Sequence, residues 1–257
     1  MNPSSSAAGR LSIRERVAMG SVLVDFLARS VDIRTLLIKG PSAEKALGYH
    51  RHSVDVDVLV EPERFVDLLD LLREHGFVGD VSLVEDSWAH AVEVVSAEWS
   101  VAVDVHRWFP GIEVAPERAF DLLWEHAVSV ELAARSCTTL DRPGHALLIG
   151  LHAARSRHGS CKRDEVTAAM ASLSAEEREA MRHLAKELAA EPVLGIVLEE
   201  FSAATTPGVR ARWKAVADKQ VARIWYHRIR GSRNLWQMGR EIVRGLRRRR
   251  RRLQSQR

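Results

Sequence analysis

Two aspartates, Asp55 and Asp57, stand two positions apart in the run from Val54 to Val60. Because valines alternate along this run, it predicts a β-strand, and side chains two apart in a strand share one face about 6–7 Å from each other. Carboxylates that close repel each other unless a cation lies between them. A pair that offers only oxygen donors suits Mg²⁺ or Mn²⁺. The pair predicts a divalent-metal site, with a solvated strand face as the alternative.

A turn upstream of this pair has the composition of a phosphate-binding loop. The strand predicted at 35–38 ends at Lys39, and Gly40, Pro41 and Ser42 open a helix that runs to Leu47. A glycine lets the backbone approach a ligand, and the first N–H groups of a helix are free to bind phosphate. We therefore expect a nucleotide phosphate at this turn.

A third aspartate, Asp104, interrupts the apolar residues of a strand predicted at 100–105. This strand and a preceding one at 91–96 are spaced as a hairpin. Asp104 could share the metal cluster, since carboxylate-bridged metals neutralise a triphosphate, position its α-phosphorus and stabilise the attacking and leaving oxygens. The three features together are much more specific than any one of them.

The order of these features resembles the nucleotidyltransferases of the DNA polymerase β superfold. It is similar, more narrowly, to the bacterial uncharacterised nucleotidyltransferase family, over about residues 11–175. The residues that carry the resemblance are Lys39-Gly40-Pro41-Ser42, Arg51-x-Ser53-x-Asp55-x-Asp57 and Val103-Asp104-Val105-His106. One departure is Pro41, which takes the place of the second small residue of the superfamily pattern.

The resemblance implies an α+β fold, with a small mixed β-sheet core and flanking helices followed by an all-helical C-terminal domain. It implies an enzyme that uses Mg²⁺ or Mn²⁺ to transfer a nucleoside monophosphate from an NTP, expected to be ATP, to an unidentified hydroxyl- or phosphate-bearing acceptor. Pyrophosphate is the second product. The alternative is a non-catalytic binding module of the same fold, antitoxin-like or accessory, and the three retained aspartates favour the enzyme.

The resemblance also assigns roles to individual residues. The implied catalytic metal ligands are Asp55, Asp57 and Asp104. The implied nucleotide-binding residues are Gly40 and Ser42, with Lys39 and Arg51 as weaker candidates. Lys39 is equally compatible with a solvated strand end, and Arg51 with an ion pair to one of the aspartates.

Histidines offer a competing metal site, which their spacing disfavours. His50 and His52 flank Arg51, but no third nitrogen or sulfur ligand has suitable spacing for zinc. His106 shares the strand face of Asp104, where it either orients the acceptor or is a surface or supporting residue. The latter interpretation is favoured.

The remaining elements follow from apolar periodicity. An amphipathic helix is predicted at 11–31, helices begin at Pro62 and Pro116, and two short segments near 129–132 and 138–140 suggest edge strands. Beyond Pro143 the pattern is helical. We place a domain boundary near residue 140, so that an α/β domain (1–140) precedes a helical domain (141–243) and an arginine-rich tail (244–257).

Charge, cysteine content and the lack of a long apolar run restrict the possible partners, disulfides and cellular location of the protein. The net charge is +4, but residues 244–257 carry eight arginines and no acid, so the rest of the chain is acidic. The tail therefore predicts a local contact with nucleic acid or an anionic surface, or else a solvated extension. Two cysteines exclude a disulfide framework, and the absence of a long apolar run predicts no transmembrane segment and a cytoplasmic protein.

Overall fold

The computed structural model describes residues 11–50, 52–79, 90–156 and 159–218 of the 257-residue chain. Strands and helices are interspersed up to β7, and helices follow. The strands are β1 (Thr35–Leu37), β2 (Asp55–Val60), β3 (Phe77–Gly79), β4 (Ala91–Ser96), β5 (Val101–His106), β6 (Ala127–Leu132) and β7 (Arg135–Leu140). The helices are α1 (Ile13–Ser30), α2 (Gly40–Leu47), α3 (Phe65–Glu74), α4 (Pro116–Trp124), α5 (Arg142–Ala154), α6 (Gly159–Ser172), α7 (Ala175–Glu187), α8 (Glu191–Leu194) and α9 (Pro207–Ala217).

The strands form one mixed sheet in the order β3-β4-β5-β2-β1-β7-β6. Strand β2 pairs antiparallel with β1 and parallel with β5, and β1 pairs parallel with β7. This confirms a mixed sheet with flanking helices. The predicted strand near 138–140 is not an edge strand, because β7 lies between β1 and β6. The short strand β3 was not predicted.

The main apolar core lies on one face of the central strands. Val56 and Val58 of β2 and Val103 of β5 are buried there in one cluster with residues of α1 and α3. Gly20 of α1 allows a close approach, because a Cβ atom at this position would lie 3.2 Å from Val56 and 3.3 Å from Val101. Helices α1 and α3 therefore cover this face, and the polar residues of the same strands point to the other one.

Helix ends follow the expected capping chemistry. Ser12 begins α1 and Ser174 begins α7, each with a capping box completed by the glutamate three residues later. Asp141 begins α5, where its side chain accepts a hydrogen bond from the Gly144 N–H at 2.8 Å. These contacts fix where the helices start, and Asp141 does so at the junction between the sheet and the helical region.

The change of character predicted near residue 140 coincides with the end of β7, and each described element after it is helical. Residues up to Thr206 form one compact unit and those from Pro207 a second. The domain boundary at 140 stays a prediction, as do the limits of the helical domain and the tail, which extend beyond the described residues. No helix in the described ranges is long and apolar enough to cross a membrane.

Candidate functional site

The parallel pairing of β2 and β5 brings two predicted carboxylates together. Asp57 is directly opposite Asp104 in the register, and Leu59 is opposite His106. Side chains paired this way in neighbouring strands point to the same face of the sheet. Ligand atoms of Asp57, Asp104 and His106 lie within 4.8 Å of one another, which makes them the one group of this kind among the described residues.

Asp57 is buried between two nitrogen donors. The Lys39 ammonium forms an ion pair with its Oδ1, and the His106 Nε2 lies 3.0 Å from the same oxygen. Burial tends to raise the pKa of Asp57, but the His106 hydrogen bond and the Lys39 charge outweigh it and hold the pKa well below its usual range. Asp57 is therefore a carboxylate at any ordinary pH.

His106 supports Asp57 as a neutral imidazole. Its side chain is 1% exposed, and this burial lowers its pKa more than the contact with Asp57 raises it. Because the carboxylate can only accept, Nε2 carries the hydrogen and donates it to Asp57. His106 is thus placed as a residue that orients Asp57.

Asp104 has a different environment from Asp57. It is half-buried, and no described residue forms a hydrogen bond or ion pair with its carboxylate. Burial, followed by repulsion from Asp57 and Asp55, raises the pKa of Asp104 to about 6. The two aspartates therefore have opposite pKa shifts, a pattern common in acid–base and metal sites.

Asp55 lies on the same face of β2 but outside the compact group. Its main-chain carbonyl accepts a hydrogen bond from the Ser53 hydroxyl at 2.9 Å, and its charge acts on Asp104. Two carboxylates with ligand atoms this close, with a third nearby, fit a hard divalent ion such as Mg²⁺ or Mn²⁺. The role of Asp55 as a ligand stays a prediction.

The turn before α2 holds Lys39 against this cluster. Lys39 and Gly40 have φ angles of +65° and +53°, a left-handed region that non-glycine residues rarely adopt. A Cβ at Gly40 would lie 3.3 Å from the Ser53 Oγ, so a side chain would be crowded as well as strained. The unusual backbone directs the Lys39 side chain into the site, where its Nζ lies 5.8 Å from the centre of the Phe109 ring.

A hydrogen-bond network beneath the turn holds it in place. The Ser42 hydroxyl donates to the Lys39 carbonyl at 2.8 Å, and the Thr139 hydroxyl donates to the Leu37 carbonyl at 2.6 Å. His145 Nε2 lies 2.9 Å from the Thr139 Oγ1. Since that hydroxyl already gives its hydrogen to Leu37, His145 is the donor. The buried Ser42 hydroxyl therefore stabilises the turn.

Two residues near the cluster were missed by sequence reasoning. Arg155, just after α5, is mostly buried, and its Nη1 lies 3.2 Å from the His90 Nε2. Burial lowers the pKa of Arg155, although the charges of Asp57 and Asp104 oppose this shift. The pKa of His90 is lowered to about 3, mainly by burial and next by the positive charge of Arg155. His90 is therefore the neutral acceptor. Neither residue has a local motif that could have marked it.

The structure thus collects most of the expected residues in one place. Lys39, Gly40, Asp57 and Asp104 lie around one end of β1 and the β2–β5 pair. The alternative of a solvated Lys39 is wrong, since this side chain is 8% exposed and paired. Arg51 lies outside the described residues, so its contribution stays a prediction.

The sequence profile of the family described as uncharacterised nucleotidyltransferase matches residues 23–198. The chain belongs to this family. The match spans all seven strands and the helices from α2 to α8. The resemblance inferred from the turn and the aspartate motifs is therefore confirmed. No curated protein matches the chain in sequence.

Several solved structures are similar to this family member. The antibiotic-resistance factor ANT(2'')-Ia shares 14% identity over 70% of this chain and 95% of its own, with a TM-score of 0.48. The lincosamide antibiotic adenylyltransferase LnuA, in its lincomycin-bound structure, shares 11% identity over 61% of this chain and 96% of its own, with a TM-score of 0.40. An antigenic nucleotidyltransferase-like protein from Paracoccidioides brasiliensis shares 15% identity over 76% and 93% of the two chains, with a TM-score of 0.43.

Proposed function

We propose that this protein is a divalent-metal-dependent nucleotidyltransferase that transfers a nucleoside monophosphate from an NTP, expected to be ATP, to a hydroxyl- or phosphate-bearing acceptor. Pyrophosphate leaves in the same step. Membership of the nucleotidyltransferase family supports the reaction class. The observation that carries the proposal is the direct pairing of Asp57 with Asp104 across two parallel strands, beside the Lys39-Gly40 turn.

The proposed metal site consists of Asp57 and Asp104, with Asp55 beside them. A bound Mg²⁺ or Mn²⁺ supplies neutralisation of the triphosphate and a lower pKa for the acceptor hydroxyl. In the free protein, His106 and Lys39 keep Asp57 ionised and fixed in direction. The helix that begins at Gly40 presents its first N–H groups toward the phosphates, whose charge they stabilise.

Asp104 is the residue proposed to act on the acceptor. Its carboxylate has no partner among the described residues, so it is free to accept the proton of an acceptor hydroxyl. The acceptor oxygen then forms a bond to the α-phosphorus, while the bond from that phosphorus to the pyrophosphate oxygen breaks. Arg155 interacts electrostatically with both Asp57 and Asp104 and adds a positive charge that favours anionic phosphate.

Metal-dependent nucleotide binding tests the proposal directly. Calorimetry of the full chain should detect NTP binding with Mg²⁺ and little with EDTA, because the carboxylates repel phosphate and only the cation reverses this repulsion. Replacing Asp55 and Asp57 together by Asn should abolish the dependence on metal. NTP binding that is equally strong in EDTA would contradict the proposed site.

The acceptor is a separate question. Incubation with mixed NTPs, Mg²⁺ and host-cell extract, followed by mass spectrometry, should reveal a small molecule or protein whose mass increases by one nucleoside monophosphate. The Asp104→Asn variant is the matched control, since it should bind Mg·NTP without producing the adduct. An adduct of equal yield from this variant would show that the reaction does not depend on the Asp57–Asp104 pair.

A further inference from the structure

Lys39 forms a buried ion pair with a carboxylate that the proposed reaction needs for metal. The side chains of Lys39 and Asp57 are 8% and 6% exposed, so water screens their attraction poorly. Oδ1 of Asp57 already has two partners, the Lys39 ammonium and the His106 Nε2–H. A cation that approaches Oδ1 of Asp57 therefore has to compete with these two partners for its negative charge.

The surrounding charges make a bare metal ion still less favourable. Arg155 interacts electrostatically with both Asp57 and Asp104, and Lys39 interacts with both as well. A divalent ion alone would add two positive charges to a site that already holds two cationic side chains beside its carboxylates. A triphosphate that arrives with the ion brings the negative charge that these cations can bind.

The position of Lys39 suits an exchange of partners. It is the residue immediately before α2, and its ammonium is carried on a flexible four-carbon stem. Its φ of +65° is maintained by the packed turn, in which Ser42 binds the Lys39 carbonyl. A short swing of the side chain can therefore move the charge from Asp57 toward a phosphate at the start of α2 while the backbone stays in place.

We propose that Lys39 makes metal binding depend on nucleotide. In the free protein its ammonium occupies Asp57 and weakens the binding of metal alone. When a metal–nucleotide complex binds, the Lys39 side chain swings away from Asp57 and its ammonium forms an ion pair with a phosphate. The Asp57 carboxylate is then available to the metal. This inference rests on the proposed function, because it assumes that Asp57 and Asp104 hold the ion. It assigns Lys39 to positioning and binding, separate from the proton transfer of Asp104.

The test compares Mn²⁺ affinity in variants of the full chain, measured by electron paramagnetic resonance of free Mn²⁺ with and without a non-hydrolysable ATP analogue. The Mn²⁺ that the analogue binds by itself is measured in a protein-free titration and subtracted. In the wild type the analogue should strengthen Mn²⁺ binding by about tenfold or more. Lys39→Met should bind Mn²⁺ alone about tenfold more tightly than the wild type. The factor by which the analogue strengthens Mn²⁺ binding should be about tenfold smaller in this variant. Lys39→Arg keeps the charge and should behave as the wild type.

Lys45→Met is the matched control. Lys45 lies within α2, the helix that follows Lys39. It is exposed and donates to the carbonyl of Glu131 in β6, away from the carboxylates. It should leave both Mn²⁺ affinities unchanged. If Lys39→Met binds Mn²⁺ alone no more tightly than the wild type does, or if Lys39→Arg gains as much as Lys39→Met, the proposal is overturned. If the wild type fails to bind Mn²⁺ even with the analogue, the proposed function itself fails.

A measurement on the wild type covers the case in which Lys39→Met does not fold. A ligand that binds only the folded state stabilises it by an amount that grows with the logarithm of the ratio of ligand concentration to Kd, and so raises the melting temperature. Mg²⁺ with inorganic triphosphate should therefore raise the melting temperature of the wild type markedly, whereas Mg²⁺ alone at the same concentration should have little effect. An equal shift from Mg²⁺ alone would overturn the proposed dependence.

Discussion

The two faces of the β2–β5 strand pair have opposite physical roles. One face consists of valines, among them Val56 and Val103, that pack against α1 and α3 in the core. The other face bears Asp57, Asp104 and His106, where two carboxylates share a small volume with a buried lysine. Both faces are formed by the same two six-residue strands, because successive side chains in a strand point in opposite directions.

The comparison shows how the fold separates stability from chemistry. Burying apolar area on the valine face stabilises the folded state, while placing like charges together on the other face opposes it. The raised pKa of Asp104, which burial and the neighbouring aspartates cause, is a direct sign of that opposition. Adjacent residues should therefore respond to substitution in opposite ways.

The largest effect should come from Asp104→Asn on the polar face. This nearly isosteric change removes the carboxylate that is proposed to accept the acceptor proton, so nucleotide transfer should fall by at least about 100-fold, or roughly 3 kcal/mol of transition-state stabilisation. Mg·NTP affinity should remain measurable. The melting temperature should not fall, because a repelling charge has been removed. Rates with the identified acceptor, calorimetry and a melting curve check these outcomes.

If Asp104→Asn transfers nucleotide at the wild-type rate, Asp104 is an ordinary strand residue. The carboxylate face would then lose its proposed role in catalysis. If neither protein transfers nucleotide to any acceptor while both bind Mg·NTP, the non-catalytic binding module becomes the better description.

A smaller effect, of the opposite kind, is expected one residue earlier. Val103→Ala deletes two methyl groups from a side chain that is fully buried on the valine face. We expect the free energy of unfolding to fall by about 2 kcal/mol, from lost burial and the remaining cavity. Well below the melting temperature, kcat should stay within about twofold of the wild type, because no group at the site changes. Urea denaturation and transfer rates measure the two quantities separately, and a large loss of kcat in folded protein would show that the faces are coupled.

The smallest effect concerns an ion pair outside these strands. His126 Nδ1 lies 2.7 Å from the Asp141 Oδ2, and this hydrogen bond raises the pKa of His126 although burial opposes it. A histidine pKa that is higher in the folded state stabilises the fold fully below the unfolded value of about 6.5, and the contribution disappears as pH rises through the folded-state pKa. His126→Gln should therefore cost about 1 kcal/mol at about pH 5.5 and much less at about pH 9.

Urea denaturation at the two pH values checks this prediction. The helix cap is an internal control, because Asp141 Oδ1 accepts from the Gly144 N–H whether or not His126 is present. An equal loss of stability at both pH values would mean that His126 contributes by packing and not by charge. His126 would then stabilise the fold by packing, as the valine face does.

Local sequence patterns predicted much of the fold and part of the site. The alternation of valine and aspartate in β2 predicted the strand and its polar face, and Ser174 with Glu177 predicted the start of α7. These predictions depend on residues within one element, for which the period and the cap are visible in the sequence. That Asp104 shares a cluster with Asp57 was a hypothesis from its place in an apolar strand, to which the family resemblance added a role. No local pattern shows their direct pairing, because 47 positions separate the two residues in the chain.

By itself, the sequence determined which residues could do chemistry: the turn at Lys39 and Gly40, the aspartates of β2 and the aspartate of β5. Tertiary structure alone decided how these groups interact. It directed Lys39 to Asp57, buried His106 against the same oxygen, and brought Arg155 to His90 from the helical region. The physical reason is that ion pairing and pKa depend on distance and burial, which are set by strand register and helix packing between segments far apart in the chain.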